Sequence, residues 1–194
     1  MGDILCSIGR EGKDLIMNSD YKVEAMDILL NEDCILQRYV PLVPYKHDII
    51  KNLKKLGCYT KSDCMKLSDQ SLLDIGLADT EMVVLFRNFL TLYDVKTTKF
   101  KEINSVCKTP EETQAFQELY QLPGVKSTRA MLYYKAGLCS LETIAQSSVQ
   151  EIIAKTEHVI KTEHLDLKVP LMKEVITHIA VARAFTNYLD TELS

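Results

Sequence analysis

The chain contains a gapless internal repeat. Residues 42–73 align with residues 122–153 at an offset of 80, with six identities in 32 positions, where average residue usage gives about two. Gly57 and Gly137 are among the identities, and apolar residues pair in step along the alignment. Two copies of one hydrophobic core require such pairing. The sequence therefore predicts two similar units in one chain.

The last segments of the two units align at a different offset. Residues 86–94 match residues 182–190 at an offset of 96, so the second unit carries 16 more residues before its final segment. These extra residues include a short tandem duplication, KTEHVI followed by KTEHLD, at 155–166. The sequence predicts an extended helix or an exposed excursion near 154–169.

The composition favours helices. Only seven glycines and five prolines occur in 194 residues, and Leu, Lys, Glu, Ala and Ile dominate. One helix start is clear, because Thr109 is a good N-cap, Pro110 suits the first helical position, and Glu111 and Glu112 place acids in the first turn. The predicted fold class is all-α.

The predicted boundaries follow from these signals. They are a lead-in at 1–18, a first unit at 19–94, a linker at 95–108 and a second unit at 109–194. A helix is predicted from Ser19 and Asp20 to about Tyr39. A closing helix is predicted from about Leu171 to Leu189.

The second unit contains a stretch, 119–137, that resembles a known motif. Leu122, Pro123 and Gly124 interrupt one helical pattern, and another begins at Ser127. This stretch resembles the helix–hairpin–helix motif at Leu119, Leu122, Gly124, Val125, Ala130 and Gly137. Together with the SLETIAQSSVQEII that follows, these residues make the unit similar to paired helix–hairpin–helix domains of the DUF4332 type and to the competence-regulator C-terminal domain, in the SAM-like fold group.

The resemblance implies two tandem units of this kind and a contact with nucleic-acid backbone, DNA or RNA, that does not depend on base sequence. In such motifs the backbone N–H groups at the start of the second helix hold a phosphate, aided by the helix dipole. The implied backbone donors are Gly124, Val125 and Lys126, and the implied side-chain partners are Lys126, Ser127, Thr128 and Arg129.

Lys126 departs from the motif, which has a second glycine at this position. Its side chain either keeps a phosphate away from the backbone or adds positive charge to the contact, and spacing does not decide between these effects.

The charge distribution is uneven. Residues 121–141 contain no acid and carry +3, while residues 41–62 carry +4. Because the whole chain is at −4, the remaining residues carry −11. This asymmetry predicts two basic faces on an acidic body, or simply solvated helix surfaces.

The first unit favours a different function. Val43-Pro44-Tyr45-Lys46 stands where the second unit has Pro-Gly-Val-Lys, so this turn has no glycine. Residues 67–90 resemble the last helices of a sterile-alpha-motif domain, a class that mostly binds other proteins. The alternative function is therefore a protein-interaction scaffold or self-associating module without nucleic-acid binding.

The sequence offers little for catalysis or metal binding. It has no G-x-S-x-G, no glycine-rich phosphate loop and no cysteine in an activating motif. His158 and His164 are six residues apart, which on one helix separates them by roughly 240°. Tyr120, Tyr133 and Tyr134 either stack on bases or pack in the core, and core packing is favoured. We predict no enzymatic activity, no cofactor and no metal site.

The six cysteines include no C-x-x-C pair, and no apolar run is long enough to span a membrane. The N-terminus lacks the pattern of a secretory signal. The sequence therefore predicts a cytoplasmic protein with reduced thiols and no membrane partner.

Overall fold

The computed structural model describes residues 16–17, 20–33 and 35–186. Over these residues the protein is all-α, as predicted, apart from a pair of two-residue antiparallel strands, β1 (Ile16–Met17) and β2 (Val95–Lys96). Most of the predicted lead-in and the predicted N-cap Ser19 lie outside the described residues. No described helix is both long and apolar enough to cross a bilayer.

The first half of the fold, residues 20–94, is built from short helices. It contains 3-10 helices at Val23–Ala25 and Gln37–Tyr45, and α1 (Met26–Leu29), α2 (Lys46–Lys55), α3 (Lys61–Lys66), α4 (Asp69–Asp74) and α5 (Thr80–Leu90). Side-chain oxygens of Thr60, Ser68 and Asp79 cap α3, α4 and α5 by accepting a backbone N–H of the first turn. Such caps fix where each short helix begins.

The single helix predicted over 19–39 is wrong. α1 is only four residues long, and beyond it the side chain of Asn31 accepts the backbone N–H of Asp33 at 3.0 Å. This local hydrogen bond replaces the helical one. The chain then forms the second 3-10 helix, which contains Pro41 and Pro44. Proline has no N–H to donate, so the apolar spacing in this region does not continue as an α-helix.

The second half contains six helices among its described residues. They are α6 (Thr97–Val106), α7 (Pro110–Leu119), α8 (Ser127–Lys135), α9 (Leu141–Gln146), α10 (Val149–Thr162) and α11 (Met172–Thr186). α6 lies within the predicted linker and packs against α7, with Ile103 fully buried. The segment between the predicted units is therefore part of the packed fold.

The extra residues of the second unit form both structures that the sequence allowed. α10 has 14 residues, against six in α4 at the corresponding place in the first half. Residues 163–171 then cross to α11 without regular secondary structure. α11 is described as far as Thr186, so residues 187–189 of the predicted closing helix lie outside the described part.

The two halves share local geometry at positions 80 residues apart. Gly57 and Gly137 follow α2 and α8, with φ of +76° and +74°, a backbone region that glycine adopts readily. Ser68 and Ser148 cap α4 and α10, and each side chain accepts a hydrogen bond from the backbone N–H three residues later. The end of α2 thus matches the end of α8, and the start of α4 matches the start of α10, where the sequences align.

α11 joins the two halves. It packs against α9 and α10 in the second half and against α1 in the first. The ring centroid of Phe185 lies 5.8 Å from that of Tyr21 and 5.7 Å from that of Tyr93. One buried apolar cluster extends through both halves. The segment that connects α7 to α8 lies at this junction.

Candidate functional site

The predicted site lies in the α7–α8 turn, residues 120–126. Gly124 adopts φ of +74°, which lets the chain reverse without the strain a side chain would cause. The backbone N–H of Val125 donates to the carbonyl of Leu122 at 3.2 Å, and the Val125 side chain is buried. Gly124 therefore shapes the turn, while the N–H of Val125 is engaged inside it.

The first turn of α8 has no side-chain cap. Lys126 is its N-cap residue, in extended conformation, and its side chain makes no capping hydrogen bond. α1 and α2 likewise have no side-chain cap, whereas the first turns of α3, α4, α5, α7, α9 and α10 are each capped by the hydroxyl or carboxylate of Thr60, Ser68, Asp79, Thr109, Ser140 and Ser148. The N–H groups at the start of α8 are thus suited to an external anion.

The side chains of this first turn differ in availability. Lys126 and Thr128 are exposed, and Ser127 is half-buried. Lys126 has no acidic partner within the described part of the chain. Its ammonium can therefore approach a phosphate without first leaving an ion pair.

Arg129 is held by the protein itself. Its Nε donates to Oε1 of Glu174 at 2.9 Å, and its Nη2 donates to Oε2 of the same carboxylate at 3.3 Å. Its Nη1 donates to the carbonyl of Lys168 at 3.2 Å, and 22% of the side chain is exposed. A two-point pair of this kind fixes the guanidinium plane. Arg129 can reach a phosphate only after Glu174 has been displaced.

One side of the turn faces a small cavity at the junction of the halves. The cavity has a volume of about 200 Å³, and Pro123 and Gly124 line it opposite Tyr93 and Asp94 of the first half. The Asp94 carboxylate is paired with the ammonium of Lys61. Because Asp94 already engages this ammonium, the pair offers no free positive charge to a phosphate on this side of the turn.

A buried histidine supports the turn from within. The hydroxyl of Tyr133 lies 2.8 Å from Nδ1 of His178, and Nε2 of His178 lies 2.9 Å from the carbonyl oxygen of Pro123. A carbonyl can only accept, so Nε2 carries the proton and Nδ1 of the neutral ring accepts from Tyr133. Burial lowers the pKa of His178, although the bond to Pro123 opposes this effect. The turn is therefore tied to α11.

Protonation of His178 is expected to make stability depend on pH. In the unfolded chain its pKa returns to about 6.5. Below that pH the unfolded chain binds one more proton than the folded chain, so the free energy of unfolding falls as pH falls, by up to about 1.4 kcal/mol per pH unit. His178→Gln retains a donor and an acceptor but cannot titrate.

Urea unfolding at several pH values between about 7.5 and 5.5 measures this effect around the unfolded-state pKa of about 6.5. The free energy of unfolding should fall less steeply with acidification in His178→Gln than in the unmodified protein. Equal slopes in the two proteins would show that His178 does not titrate on unfolding.

The tyrosines near the turn belong mainly to the core. Tyr120 and Tyr133 are buried, which confirms the core interpretation for these two residues. The Tyr120 hydroxyl donates to Glu102 at 3.1 Å, and burial, followed by this bond, raises the pKa of Tyr120 to about 12. Tyr134 is half-buried, with its ring 6.4 Å from that of Phe116.

Most cations of the two basic windows are paired with acids from other segments. In the second window, Arg129 pairs with Glu174 and Lys135 with Glu163. In the first window, Lys46, Lys54 and Lys61 pair with Asp27, Glu24 and Asp94. Lys51 and Lys55 have no acidic partner among the described residues. The fold therefore neutralises much of the positive charge that the sequence concentrates in these windows.

Metal and thiol chemistry find no support in the described part of the chain. There, no group of three or more His, Cys, Asp or Glu side chains could hold a metal ion. His158 lies on α10, whereas His164 lies beyond its end, and both are exposed. Burial raises the pKa of Cys139, and it raises that of Cys64 to about 12, which disfavours the reactive thiolate.

The partners that surround the turn could not be predicted from the sequence. Glu174, Glu163 and the Lys168 carbonyl come from beyond α10 and reach α8 only through the fold. His178 had one available signal, because it shares the apolar face of α11 with Val175 and Ile179. A polar residue on such a face requires a buried partner.

The fold and the site define an all-α protein in which a tight glycine turn leads into a helix whose first turn is uncapped. A family model described as "Domain of unknown function (DUF4332)" matches residues 87–185, just over half of the 194 residues, and the chain belongs to this family. The match includes the α7–α8 turn and α11. Comparisons with curated proteins and with solved structures give no significant match.

Proposed function

We propose that the protein is a non-catalytic binding protein that contacts nucleic-acid backbone, independently of base sequence, at the first turn of α8. The uncapped first turn carries this proposal, beside an exposed Lys126 that has no acidic partner among the residues the structure describes. Backbone N–H groups at a helix start and a nearby ammonium are suited to a phosphate, and neither reads bases.

The proposed contacts are narrower than those that the sequence suggested. Lys126, Ser127 and Thr128 contact the phosphate through backbone N–H groups and side chains. Gly124 and Val125 act by shaping the turn. Arg129 contributes only when its bond to Glu174 is open.

The proposal includes the finer description of the fold. α7, the turn and α8 form a helix–hairpin–helix motif. The first half contains a diverged, SAM-like copy of the same unit. The recurring glycines after α2 and α8 and the recurring serine caps of α4 and α10 support this duplication. The cytoplasmic location stays a prediction.

Lys126→Glu is expected to weaken binding of a labelled oligonucleotide at low salt by about tenfold or more, because one contact becomes a repulsion. The slope of log affinity against log salt should become shallower by about one. Fluorescence anisotropy across a salt series measures both quantities.

Lys51→Glu is the matched control, since it makes the same charge change at an exposed lysine of α2 with no acidic partner among the described residues. If both variants weaken binding equally, the interaction is a diffuse charge effect. If the unmodified protein does not bind DNA or RNA at low salt, the proposed function is wrong.

The second candidate is a protein-interaction scaffold, and one surface feature favours it. Leu171 and Met172 are adjacent at the start of α11, and their side chains are 74% and 59% exposed. Neighbouring exposed apolar residues favour contact with another protein. Self-association in light scattering that is lost in Leu171→Ser with Met172→Ser would support this candidate.

A further inference from the structure

Both ends of α8 are held by residues that follow α10. Near the start of the helix, Arg129 bonds to the Glu174 carboxylate and to the Lys168 carbonyl. At its last residue, Lys135 bonds to the carboxylate of Glu163. The connection 163–171, which we call the strap, therefore runs beside α8, and Glu174 lies just beyond it in the first turn of α11.

The described residues include no corresponding cover in the first half. Lys55, which lies 80 residues before Lys135, is exposed, and within the described part of the chain its ammonium bonds only to Asn52 of its own helix. Glu163 belongs to the extra residues that separate the offset of 80 from the offset of 96. At that second offset, Glu174 corresponds to Ala78, which has no carboxylate. Of the two acids that bind cations of α8, Glu163 therefore lies in the added segment and Glu174 follows it.

The strap is held weakly at its Glu163 end. It has no helix or strand, and Glu163, His164, Asp166 and Lys168 are exposed, while Pro170 is buried. The ion pairs at its two ends involve side chains that are partly open to solvent. The more exposed Lys135–Glu163 pair is of a weak, salt-screened kind, whereas the two-point Arg129–Glu174 pair is the stronger of the two. A polyanion that offers phosphates to the same cations also gains from the release of its counterions.

We propose that the strap is an autoinhibitory cover, in which Glu163 and Glu174 hold Lys135 and Arg129 until a nucleic-acid backbone displaces them. This inference rests on the proposed function, because it concerns regulation of the same helix. Lys126 is the open cation that makes the first contact, and Arg129 and Lys135 join only after displacement. The closed protein is a weak binder, and opening extends the basic face along α8.

Glu163→Gln combined with Glu174→Gln tests the cover. The amide of Glu163→Gln keeps an oxygen that can accept from Lys135. That of Glu174→Gln keeps one acceptor in place of the two oxygens that Glu174 uses, and each change removes one negative charge. The double variant is expected to bind a labelled oligonucleotide severalfold more tightly than the unmodified protein at low salt. The slope of log affinity against log salt should become steeper by about two, one for each freed cation. Glu163→Gln alone, at the more exposed end, should give a steepening of about one.

Glu81→Gln combined with Glu142→Gln is the matched control, since it removes the same charge from α5 and α9, and neither carboxylate forms an ion pair among the described residues. An equal gain in affinity in this control, or no gain in affinity in the strap variant, would show that the strap is not an autoinhibitory cover. If Lys126→Glu abolishes binding while the strap variant equals its control, the cover is wrong and the proposed function stands.

Two further outcomes decide the remaining cases. Binding by the strap variant alone, with none by the unmodified protein or the control, would support complete inhibition by the cover. Absence of binding in all of these proteins at low salt would overturn both the cover and the proposed function.

Discussion

Asp94→Asn is expected to lower the free energy of unfolding by about 3 kcal/mol, because it removes the carboxylate from a buried ion pair. The side chain of Lys61 is only 2% exposed and that of Asp94 is 11% exposed. An ammonium cannot regain water at such a site, so loss of the opposite charge leaves it poorly compensated. Chemical denaturation followed by circular dichroism measures the difference.

A surface ion pair in the same half provides the control for this prediction. Asp69 pairs with Arg87 at 2.6 Å, but its side chain is 68% exposed. Asp69→Asn should therefore cost no more than about 1 kcal/mol. Equal losses in the two variants would show that burial does not set the strength of the Lys61–Asp94 pair.

Phe185→Ala is also expected to cost about 3 kcal/mol, because it removes the ring that packs between the two halves. The ring contacts Tyr21 and Tyr93 of the first half and is carried by α11 of the second. The ring is half-buried, so its loss removes these contacts and leaves a gap between the halves.

Val84→Ala is the control for this second prediction, since it also shortens an apolar side chain, but at an exposed position on α5. It should change the free energy of unfolding by less than about 0.5 kcal/mol. A loss below about 1 kcal/mol in Phe185→Ala would contradict the role of α11 in joining the halves.

The elements that sequence reasoning located best are those fixed by nearby residues. The cap at Thr109 and the aligned glycines, which the structure places after α2 and α8, depend on residues within one or two turns. A backbone that requires positive φ selects glycine, so an aligned pair of glycines indicates two aligned helix ends. The DUF4332 resemblance, carried by residues around Gly124, is confirmed by the family match.

The elements that could not be predicted from the sequence depend on local contacts that compete with the helix, or on partners far away in the sequence. Apolar spacing predicted a long first helix. The hydrogen bond to the Asn31 side chain and two prolines prevent the α-helix from continuing there. Arg129 and Glu174 are 45 residues apart, so their pairing exists only after α11 has packed. Charge counts along the chain cannot include such pairs, which is why the basic windows overstated the free positive charge.

Backbone amide NMR during titration with a short oligonucleotide tests the proposed site most directly. The proposed function predicts that the largest shift changes at low salt occur at the amides of Lys126, Ser127 and Thr128, and that they decrease as salt is raised. Absence of changes at these three amides while the oligonucleotide is present in excess, or changes centred on Leu171 and Met172 instead, would contradict it.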